Sequence, residues 1–566
     1  MKQKSLRRII PILLVMSILF TFVACEKATD TVEENTTVSE TGNSIESSST
    51  IAEEETFDQM AKYEPVVELT TVRSNNGMEK FLPGESIDNN AYYKLYEEEL
   101  GIKVKNNWVV DGSQYELKAN ITIASNDLPD FFNVTNKQLD SLVKSDSIYD
   151  VSDVYDKYAL PLTKEIVNQD GGIALGVSKF DGKLMAIPVT GSAYDLVPLI
   201  YVRSDWMEKL NISAPKSMDD IFKIAEAFTT KDPDGNNKND TYGLAVSKNL
   251  FGDAPGLEGF FNSYHAYPTS WVKDTSGNLV YGSVLPESRT ALQVLQEMYK
   301  SGQIHKEFGV KDDAKIVEEL NAGKCGICYG VMYLPLLLQP GKVRDPKLDW
   351  QAYQLVSADD KPALAQLEMP VVQWTVVNKN CKNPEAVIKL LNVFVEKMWG
   401  ETADAKLYGN GEGDAAITPF KCSPIMVWPA LKNVNIYKKC ADALTTNDTS
   451  KMNAEEKSDY DQIIKFNNGD NTFWGMTRVF GPGSSHEMIN KYYLEGNQVI
   501  YDQFYGTPTA TMAEKWATLL KLRNEAFTKI ILGKPIEDFD EFVEQWKKLG
   551  GDTITQEVND WYKSRQ

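Results

Sequence analysis

Residues 200–228 read IYVRSDWMEKLNISAPKSMDDIFKIAEAF, in which a strand-like apolar run is followed by a helical pattern. Ser217 and Asp220 match a capping box, which satisfies the free N–H groups at the start of a helix. The apolar residues after this box are spaced for one helical face, at positions 218, 221, 222, 225 and 228. This spacing predicts a helix that buries one side against a sheet.

The same change between strand-like and helical patterns recurs from residue 64 onward. The runs predicted to be strands are VVELTTV (66–72), IKVKNNWVV (102–110), YELKANITIA (115–124) and LVPLIYVRS (196–204). Near the end of the chain, Thr511 and Glu514 match a second capping box, and helical stripes are predicted within residues 516–531, 539–549 and 554–561. Alternation of this kind is typical of an α/β fold.

Length, charge and histidine content limit the function classes. The chain has 566 residues and no repeat of 20–50 residues, so we predict two globular lobes. Its formal net charge of −21 repels phosphate backbones, so we expect no nucleic-acid partner. The three histidines, His265, His305 and His486, are scattered and form no zinc-binding H-E-x-x-H helix.

The first 25 residues have the layout of an export signal. Four cations precede an apolar run from Ile9 to Ala24, which predicts a signal peptide over residues 1–24. Phe22-Val23-Ala24-Cys25 resembles a bacterial lipobox, so Cys25 is the predicted site of diacylation. A signal anchor retained in the membrane and an incidental cysteine are the alternatives.

Residues 25–56 are predicted to form the lipidated cysteine and a disordered acidic tether. Nine carboxylates, one lysine and almost no large apolar residue leave this segment too little surface to bury. We therefore expect a monomeric globule on the extracellular face of the cell membrane, held there by its lipid anchor.

The other cysteines are Cys325, Cys328, Cys381, Cys422 and Cys440, and the sequence leaves their pairing open. Their spacing does not resemble a disulfide framework. Cys325 and Cys328 lie in KCGICYGV, whose apolar alternation predicts a buried strand in preference to a redox or metal motif.

The segment from Asp232 to Thr241 reads DPDGNNKNDT and resembles the first part of an EF-hand loop. The candidate ligands are the side chains of Asp232, Asp234, Asn236 and Asp240, the main-chain carbonyl of Lys238, and Thr241, whose role stays open. These oxygen donors suit a structural Ca²⁺ ion. Position 6 is Asn237 instead of glycine and position 12 is Gly243 instead of glutamate, so a metal-free turn rich in Asp and Asn is the alternative.

Several stretches, in order along the chain, together resemble one known family, the extracellular solute-binding proteins of family 1. They are LPDFFNV (128–134), FDGKLMAIPV (180–189), residues 200–228, DPDGNNKNDTYGLAV (232–246), FYGTPTATMAEKWATL (504–519) and FDEFVEQWKKLGGDTITQEVNDWYK (539–563). Members of this kind are lipoproteins of Gram-positive carbohydrate ABC transporters, some of which bind alginate. The resemblance implies an oligosaccharide ligand and permease subunits as partners.

The resemblance also implies a two-lobed α/β fold of the type II periplasmic-binding-protein kind, with a hinge and an interlobe cleft. Lobe 1 is expected to comprise residues 57–187 and about 376–443. Lobe 2 is expected to comprise residues 188–375 and about 444–566. Domain closure around the ligand is the expected mechanism.

Ligand-binding candidates follow from the rule that ligands of open α/β sheets sit beyond the carboxyl ends of strands. Polar candidates after predicted strands or near the lobe crossing are Ser125, Asn126, Asp127, Tyr194, Asp195 and Arg203. Trp271, Trp374 and Trp474 are candidate stacking surfaces for sugar rings, with burial in the core as the alternative for each.

Two other function classes remain open from the residues alone. A secreted, membrane-anchored glycoside hydrolase would use a pair of Asp or Glu residues across one glycosidic bond. An adhesion or signalling ectodomain would use the same globule without transport. The resemblance favours a non-enzymatic binding protein.

Overall fold

The computed structural model describes residues 57–75, 80–409 and 417–564. The predicted signal peptide, Cys25 and the acidic tether lie outside these ranges. Within them, the strands in chain order are β1 (Val67–Ser74), β2 (Ile102–Val110), β3 (Phe131–Val134), β4 (Lys179–Phe180), β5 (Lys183–Leu184), β6 (Ile187–Thr190), β7 (Leu199–Arg203), β8 (Tyr242–Leu244), β9 (Trp271–Lys273), β10 (Leu279–Tyr281), β11 (Cys325–Gly330), β12 (Trp350–Tyr353), β13 (Ala365–Leu367), β14 (Val371–Val377) and β15 (Val499–Tyr501).

The α-helices of the same ranges are α1 (Ala91–Leu100), α2 (Tyr115–Ala124), α3 (Asn136–Lys144), α4 (Ser152–Tyr158), α5 (Pro161–Val167), α6 (Ile173–Val177), α7 (Ser204–Leu210), α8 (Met218–Thr230), α9 (Glu258–Asn262), α10 (Pro286–Lys300), α11 (Asp313–Asn321), α12 (Leu334–Arg344), α13 (Pro384–Trp399), α14 (Lys432–Thr446), α15 (Ala454–Asn467), α16 (Trp474–Phe480), α17 (Ser485–Met488), α18 (Ala510–Ile531), α19 (Asp538–Trp546) and α20 (Asp552–Lys563).

Lobe 1 combines strands from the first part of the chain with β14, which returns to it from lobe 2. β14 lies between β3 and β6 and is antiparallel to both, while β1 and β2 form a parallel pair. Thr70 in β1 connects the two sheets, because its backbone N–H donates to Asp130 Oδ2 at 2.7 Å and its hydroxyl accepts the Asp130 N–H at 3.0 Å. β1 therefore lies beside the start of β3.

Lobe 2 contains a four-stranded sheet in the order β12-β7-β11-β8. Every residue of β7 and of β11 is buried, as the apolar alternation predicted for β11. Cys325 and Cys328 in β11 are free thiols. The predicted helix with its Ser217 cap is α8, which covers this sheet. Gly326 permits the close approach, because a Cβ there would lie 2.1 Å from the Phe228 ring.

The C-terminal helices α18, α19 and α20 confirm the predicted helical stripes. Their buried residues pack against α10 and the β9–β10 hairpin, whereas Leu549, which was predicted to share the stripe, is exposed. The cap of α18 is Thr509, whose side chain accepts the Met512 N–H, and not Thr511. Thr511 instead donates to Glu557 Oε1 at 2.8 Å.

The strand predicted for residues 115–124 is wrong, because this segment forms helix α2. Leu117 and Ile121 suggested strand alternation, but they are four residues apart and lie on the outside of the helix, each 61% exposed. Glu116, Leu117, Lys118 and the two alanines of this segment favour a helix where no neighbouring strand buries the alternate residues.

Two of the predicted lobe boundaries also shift. β14 pairs with lobe 1 strands from Val371 onward, so the predicted change of lobe at residues 375–376 would cut a strand. α13 packs on α4 and α5 of lobe 1, whereas α14 packs on α15 and α16 of lobe 2. The return to lobe 2 therefore occurs near Lys432 and not at residue 444. The two-lobed α/β organisation itself is confirmed.

Candidate functional site

Three crossing segments connect the lobes: residues 190–199, 367–371 and 423–433. Thr190 joins the first to the third, because its hydroxyl donates to the Trp428 carbonyl at 2.7 Å and accepts the Trp428 N–H at 3.0 Å. The Gly191 N–H donates to the Pro370 carbonyl at 2.7 Å and joins the first to the second. Bundled crossings of this kind form a hinge.

Beside the hinge lies a groove between the lobes, with a cavity volume of about 350 Å³. Lobe 1 contributes Thr135, Asn136, Val177, Val372 and Trp374; the crossing and lobe 2 contribute Thr269, Ser270, Gln366, Glu368, Met369, Val371, Asp502, Phe504, Tyr505 and Gly506. An adjoining cavity of about 80 Å³ shares Thr269, Gln366 and Glu368 and extends to Asp253 and Glu258. A volume near 350 Å³ is at the lower end for small-molecule sites.

The walls of the groove carry aromatic surfaces that the fold holds in place. Trp374 in β14 is 6% exposed, and its indole Nε1 donates to Ser178 Oγ at 3.0 Å. Phe504 and Tyr505 each pack edge-on against Trp561 of α20, with ring centroids 4.8 Å apart. Asn136 Nδ2 donates to the Tyr505 carbonyl, so lobe 1 contacts lobe 2 across the groove.

Two carboxylates of the groove follow neighbouring parallel strands. Glu368 comes directly after β13 and Asp502 directly after β15, and the Asp502 N–H donates to the Leu367 carbonyl at 2.8 Å. Asp502 Oδ1 accepts the backbone N–H groups of Phe504 at 2.9 Å and Trp271 at 3.1 Å. The strand-end rule therefore applies here, although neither residue was among the predicted ligands.

Burial shifts the ionisation of these groups. Burial, with a smaller contribution from the neighbouring Glu368, raises the pKa of Asp502 to about 7 despite the two N–H donors. Burial likewise raises the pKa of Glu258 to about 8, which the nearby Arg523 only partly offsets. The pKa of Glu368 is also raised, by burial and then by Asp253. Raised carboxyl pKa values in a cleft mark a functional site.

Among the predicted ligands, Trp374 alone lines the groove. Trp271 lies beneath the wall, 3% exposed, in an aromatic cluster with Trp516, Tyr281 and Phe504. It supports the groove wall indirectly, because its backbone N–H donates to Asp502 Oδ1.

Tyr194 and Asp195 belong to the hinge. The hydroxyl groups of Tyr194 and Tyr501 lie 3.5 Å apart. Asp195 accepts a hydrogen bond from Asn433 Nδ2 at 3.1 Å and lies 3.4 Å from His486 Nε2. Burial raises the pKa of Asp195, partly offset by His486. These contacts connect the first and third crossings.

The remaining predicted ligands lie away from the groove. Arg203 is 3% exposed and donates to both Asp205 oxygens, at 2.7 and 2.6 Å, because a buried guanidinium requires a paired carboxylate. Trp474 is fully buried and donates to Asp349 Oδ1 at 2.7 Å.

Ser125, Asn126 and Asp127 form the turn after α2, and their placement beyond a strand was wrong because that segment is helical. The Ser125 hydroxyl and the Asp127 N–H both donate to the Thr122 carbonyl, at 3.1 and 3.2 Å. Asn126 adopts a left-handed φ of 55°.

The 232–241 loop is folded around Asp232. Asp232 Oδ1 accepts the N–H groups of Gly235 and Asn236 at 3.1 Å, and Oδ2 accepts the N–H of Asn237 at 3.0 Å. Asn236 Nδ2 donates to Asp234 Oδ2 at 2.7 Å and to Asp240 Oδ1 at 3.0 Å. All three carboxylates thus accept hydrogen bonds from Asn236, Asp232 from its backbone N–H and the other two from its side-chain amide.

The oxygen chemistry of this loop fits a hard cation, although the arrangement is not a complete metal shell. Lys324 forms an ion pair with Asp240, and the Thr241 hydroxyl donates to the Phe228 carbonyl at 2.8 Å. No group of three or more His, Cys, Asp or Glu residues in the described part of the chain has the spacing of a metal site.

Over the same described ranges, no helix combines the length and apolar character required to cross a membrane.

Comparison with known proteins agrees with this architecture. The sequence model described as bacterial extracellular solute-binding protein matches residues 79–400. Lipoprotein LipO of Bacillus subtilis is 24% identical over 85% of this chain and 90% of that protein. The polygalacturonan/rhamnogalacturonan-binding protein YtcQ of the same organism is 25% identical over 83% of this chain and 86% of that protein.

Two solved structures share the fold. An HMO-binding solute-binding protein of Bifidobacterium longum infantis has a TM-score of 0.58 and 15% identity, covering 88% of this chain and 98% of that chain. FusA of Streptococcus pneumoniae, in complex with kestose, has a TM-score of 0.50 and 17% identity, covering 88% of this chain and all of the other. The family match over more than half of the sequence, on a two-lobed fold with a groove at its hinge, establishes that the chain belongs to the bacterial extracellular solute-binding proteins.

Proposed function

We propose that this protein captures an oligosaccharide in the interlobe groove, outside the cell, and delivers it to the permease subunits of an ABC transporter. As a member of the solute-binding family it is a binding protein and not an enzyme. The observation that carries the proposal is the groove itself, where the aromatic surfaces of Trp374 and Phe504 lie beside carboxylates and the amide of Gln366. Sugars need such a pairing of flat apolar faces and hydrogen-bonding groups.

The names of two relatives support an oligosaccharide as the class of ligand. YtcQ is named for binding polygalacturonan and rhamnogalacturonan, and FusA is a fructooligosaccharide-binding protein. The groove has walls from both lobes, so a ligand that contacts both stabilises the closed form by its differential affinity for that form.

A thermal-shift screen of the purified protein against oligosaccharides tests this function. A ligand at 100 times its Kd stabilises the folded protein by about 2.7 kcal/mol, and the sugar is expected to be recovered intact. Trp374→Leu keeps apolar volume but removes the flat face, and should weaken binding about fivefold. Trp108→Ala, a half-buried tryptophan outside the groove, is the matched control. Sugar fragments in the recovered sample would contradict the proposal.

We also propose that the 232–241 loop binds a structural Ca²⁺ ion. Its support is the gathering of three carboxylates and Asn236 in an exposed turn. Ca²⁺ should raise the melting temperature, and Asp232→Asn should remove the increase. Asp181→Asn is the control, because Asp181 also adopts a left-handed φ in an exposed turn, 49° against 45° for Asp232. Equal melting of chelated and Ca²⁺-loaded protein with no bound metal would contradict the site.

The proposed attachment is a diacylglycerol on Cys25 that anchors a monomer to the outer face of the cell membrane. The support is the sequence layout together with the relative named as a lipoprotein. Cys25→Ala should accumulate uncleaved precursor and lose lipid labelling. Unchanged processing and labelling in that variant would refute the anchor.

A further inference from the structure

The groove is lined by several carboxyl groups. Its lining residues include four carboxyl groups, those of Asp253, Glu258, Glu368 and Asp502. Among the described residues that line the two connected cavities, none is lysine, arginine or histidine. The interior of the groove is therefore acidic from the crossing segment to lobe 2.

Arg523, the cation whose charge acts on Glu258, is not free to pair with a ligand. Arg523 is 5% exposed, and its Nη1 donates to the Pro268 carbonyl at 3.1 Å and to the Tyr281 hydroxyl at 3.0 Å. Its guanidinium also lies 4.6 Å from the centre of the Phe251 ring. It offsets part of the charge of Glu258 from behind the wall but does not line either cavity.

The carboxyls themselves keep hydrogen-bonding capacity toward the groove. Asp253 accepts one hydrogen bond, from the Tyr333 hydroxyl at 3.0 Å. The Glu368 side chain lines the groove and forms no hydrogen bond or ion pair within the described residues. Asp502 has one oxygen, Oδ1, occupied by two backbone N–H donors. Unpaired acceptors on several sides of one cavity are complementary to a donor that carries positive charge.

Resting on the function proposed above, we propose that the groove selects a saccharide with protonated amino groups, an unacetylated amino sugar, and rejects uronic acids. A ligand ammonium would contact Glu368 and Asp502, where the two cavities meet. A uronate carboxylate would instead be desolvated among like charges, with no lining cation to pair with it. The ligand class of YtcQ, by its name a galacturonan, would be disfavoured here.

The release of protons from the groove carboxyls on ligand binding provides a second measurement that tests this inference. The carboxyls of the free groove bind protons more readily than exposed carboxyls, because burial disfavours their charged forms and neighbouring carboxyls add to the effect, which raises the pKa of Asp502, Glu258 and Glu368. An ammonium lowers the pKa of a nearby carboxyl, so binding should release protons near pH 7. A neutral sugar has no charge to replace those protons and should release few.

The test compares oligomers that share linkage and length and differ in charge. The probes are tetramers of α-1,4-galactosamine, its N-acetylated form and α-1,4-galacturonate, together with β-1,4-glucosamine and its N-acetylated form. Affinity and proton release are measured by calorimetry in two buffers of different ionisation enthalpy. An amino oligomer should bind at least tenfold more tightly than its acetylated form, with proton release, and galacturonate should bind most weakly in its set.

Variants identify the groups responsible. Glu368→Gln and Asp502→Asn should each reduce the preference for the amino form at least threefold, while Glu208→Gln, an exposed carboxylate outside the groove, should leave it unchanged. Melting temperatures and circular dichroism establish that each variant is folded. If acetylated or acidic oligomers bind as well as the amino form, this inference fails and the proposed function stands. If no oligosaccharide binds, in this panel or in the wider screen, the proposed function fails with it.

Discussion

Trp271→Ala is expected to destabilise lobe 2 and not to act as the loss of a sugar-stacking surface. Trp271 is 3% exposed, so its ring offers almost no surface to a ligand. It stacks on Trp516 with centroids 6.2 Å apart and planes at 18°, and it contacts Phe504 at 6.1 Å and 64°. Truncation would leave a cavity at the centre of this cluster.

The magnitude follows from burial. Removing a buried tryptophan side chain costs about 3–5 kcal/mol, through lost transfer energy and an unfilled cavity. The lost aromatic contacts, each about 0.5–1.5 kcal/mol, favour the upper part of this range. The backbone bonds of Trp271 to Asp502 and Gln503 survive the substitution, so the groove wall keeps its connection.

Urea unfolding followed by circular dichroism measures this change, with Trp108→Ala as the comparison. Trp108 is half-buried, with its Nε1 3.2 Å from Thr122 Oγ1, so its removal should cost only about 1–2 kcal/mol. The reasoning is refuted if Trp271→Ala unfolds within 1 kcal/mol of wild type while its ligand affinity falls tenfold. That pair of results would place Trp271 in direct contact with the sugar.

Three further outcomes are expected. Saturating ligand should reduce the radius of gyration measured by X-ray scattering, because both lobes contribute to the groove; an unchanged profile would exclude closure. The melting temperature should rise as the pH falls from about 8 to 6. Burial raises the pKa of Glu258 to about 8 and of Asp502 to about 7, so the folded state binds protons there that the unfolded chain, titrating near pH 4, does not. Glu258→Gln should reduce the change of melting temperature between about pH 8 and 6. If the variant shows the same change as wild type, a group other than Glu258 causes it. Cys325 and Cys328 should react with a thiol reagent only on unfolding, because they are fully buried and burial raises the pKa of both thiols; rapid labelling of the native protein would contradict their placement.

The elements that could be predicted from the sequence are those whose pattern matches their burial. α8 has both a Ser217 cap and a buried apolar face, and β11 buries every residue of CGICYG. α2 could not be predicted, because its alternating apolar residues imitate a strand while Leu117 and Ile121 remain exposed. Alternation indicates a strand only where a neighbouring element buries one of its faces.

The site was harder to predict than the fold. β13 and β15 have three residues each, AQL and VIY, too short for a periodic signal, yet they place Glu368 and Asp502 together. The rule of strand ends was sound, but it was applied to a segment that is helical. Arg203 and Trp474 show the other difficulty. A polar residue near a predicted crossing and a tryptophan proposed as a stacking surface are as well explained by buried pairs, here with Asp205 and Asp349.

The two lobes contribute different chemistry to the groove. The lobe 1 lining, Thr135, Asn136, Val177, Val372 and Trp374, is uncharged, whereas all four carboxyls come from lobe 2 and the crossing. Uncharged groups and a flat ring contribute contact area that most sugars share, whereas carboxyls discriminate by charge. Asp502 is fixed by backbone donors, one of them from Trp271 in the rigid aromatic cluster, so its charge is held in place before a ligand arrives. Changes in lobe 1, such as Trp374→Leu, should therefore weaken all ligands by a similar factor, whereas Asp502→Asn should change their order. If Trp374→Leu reorders the ligands and Asp502→Asn does not, this division of roles between the lobes is wrong.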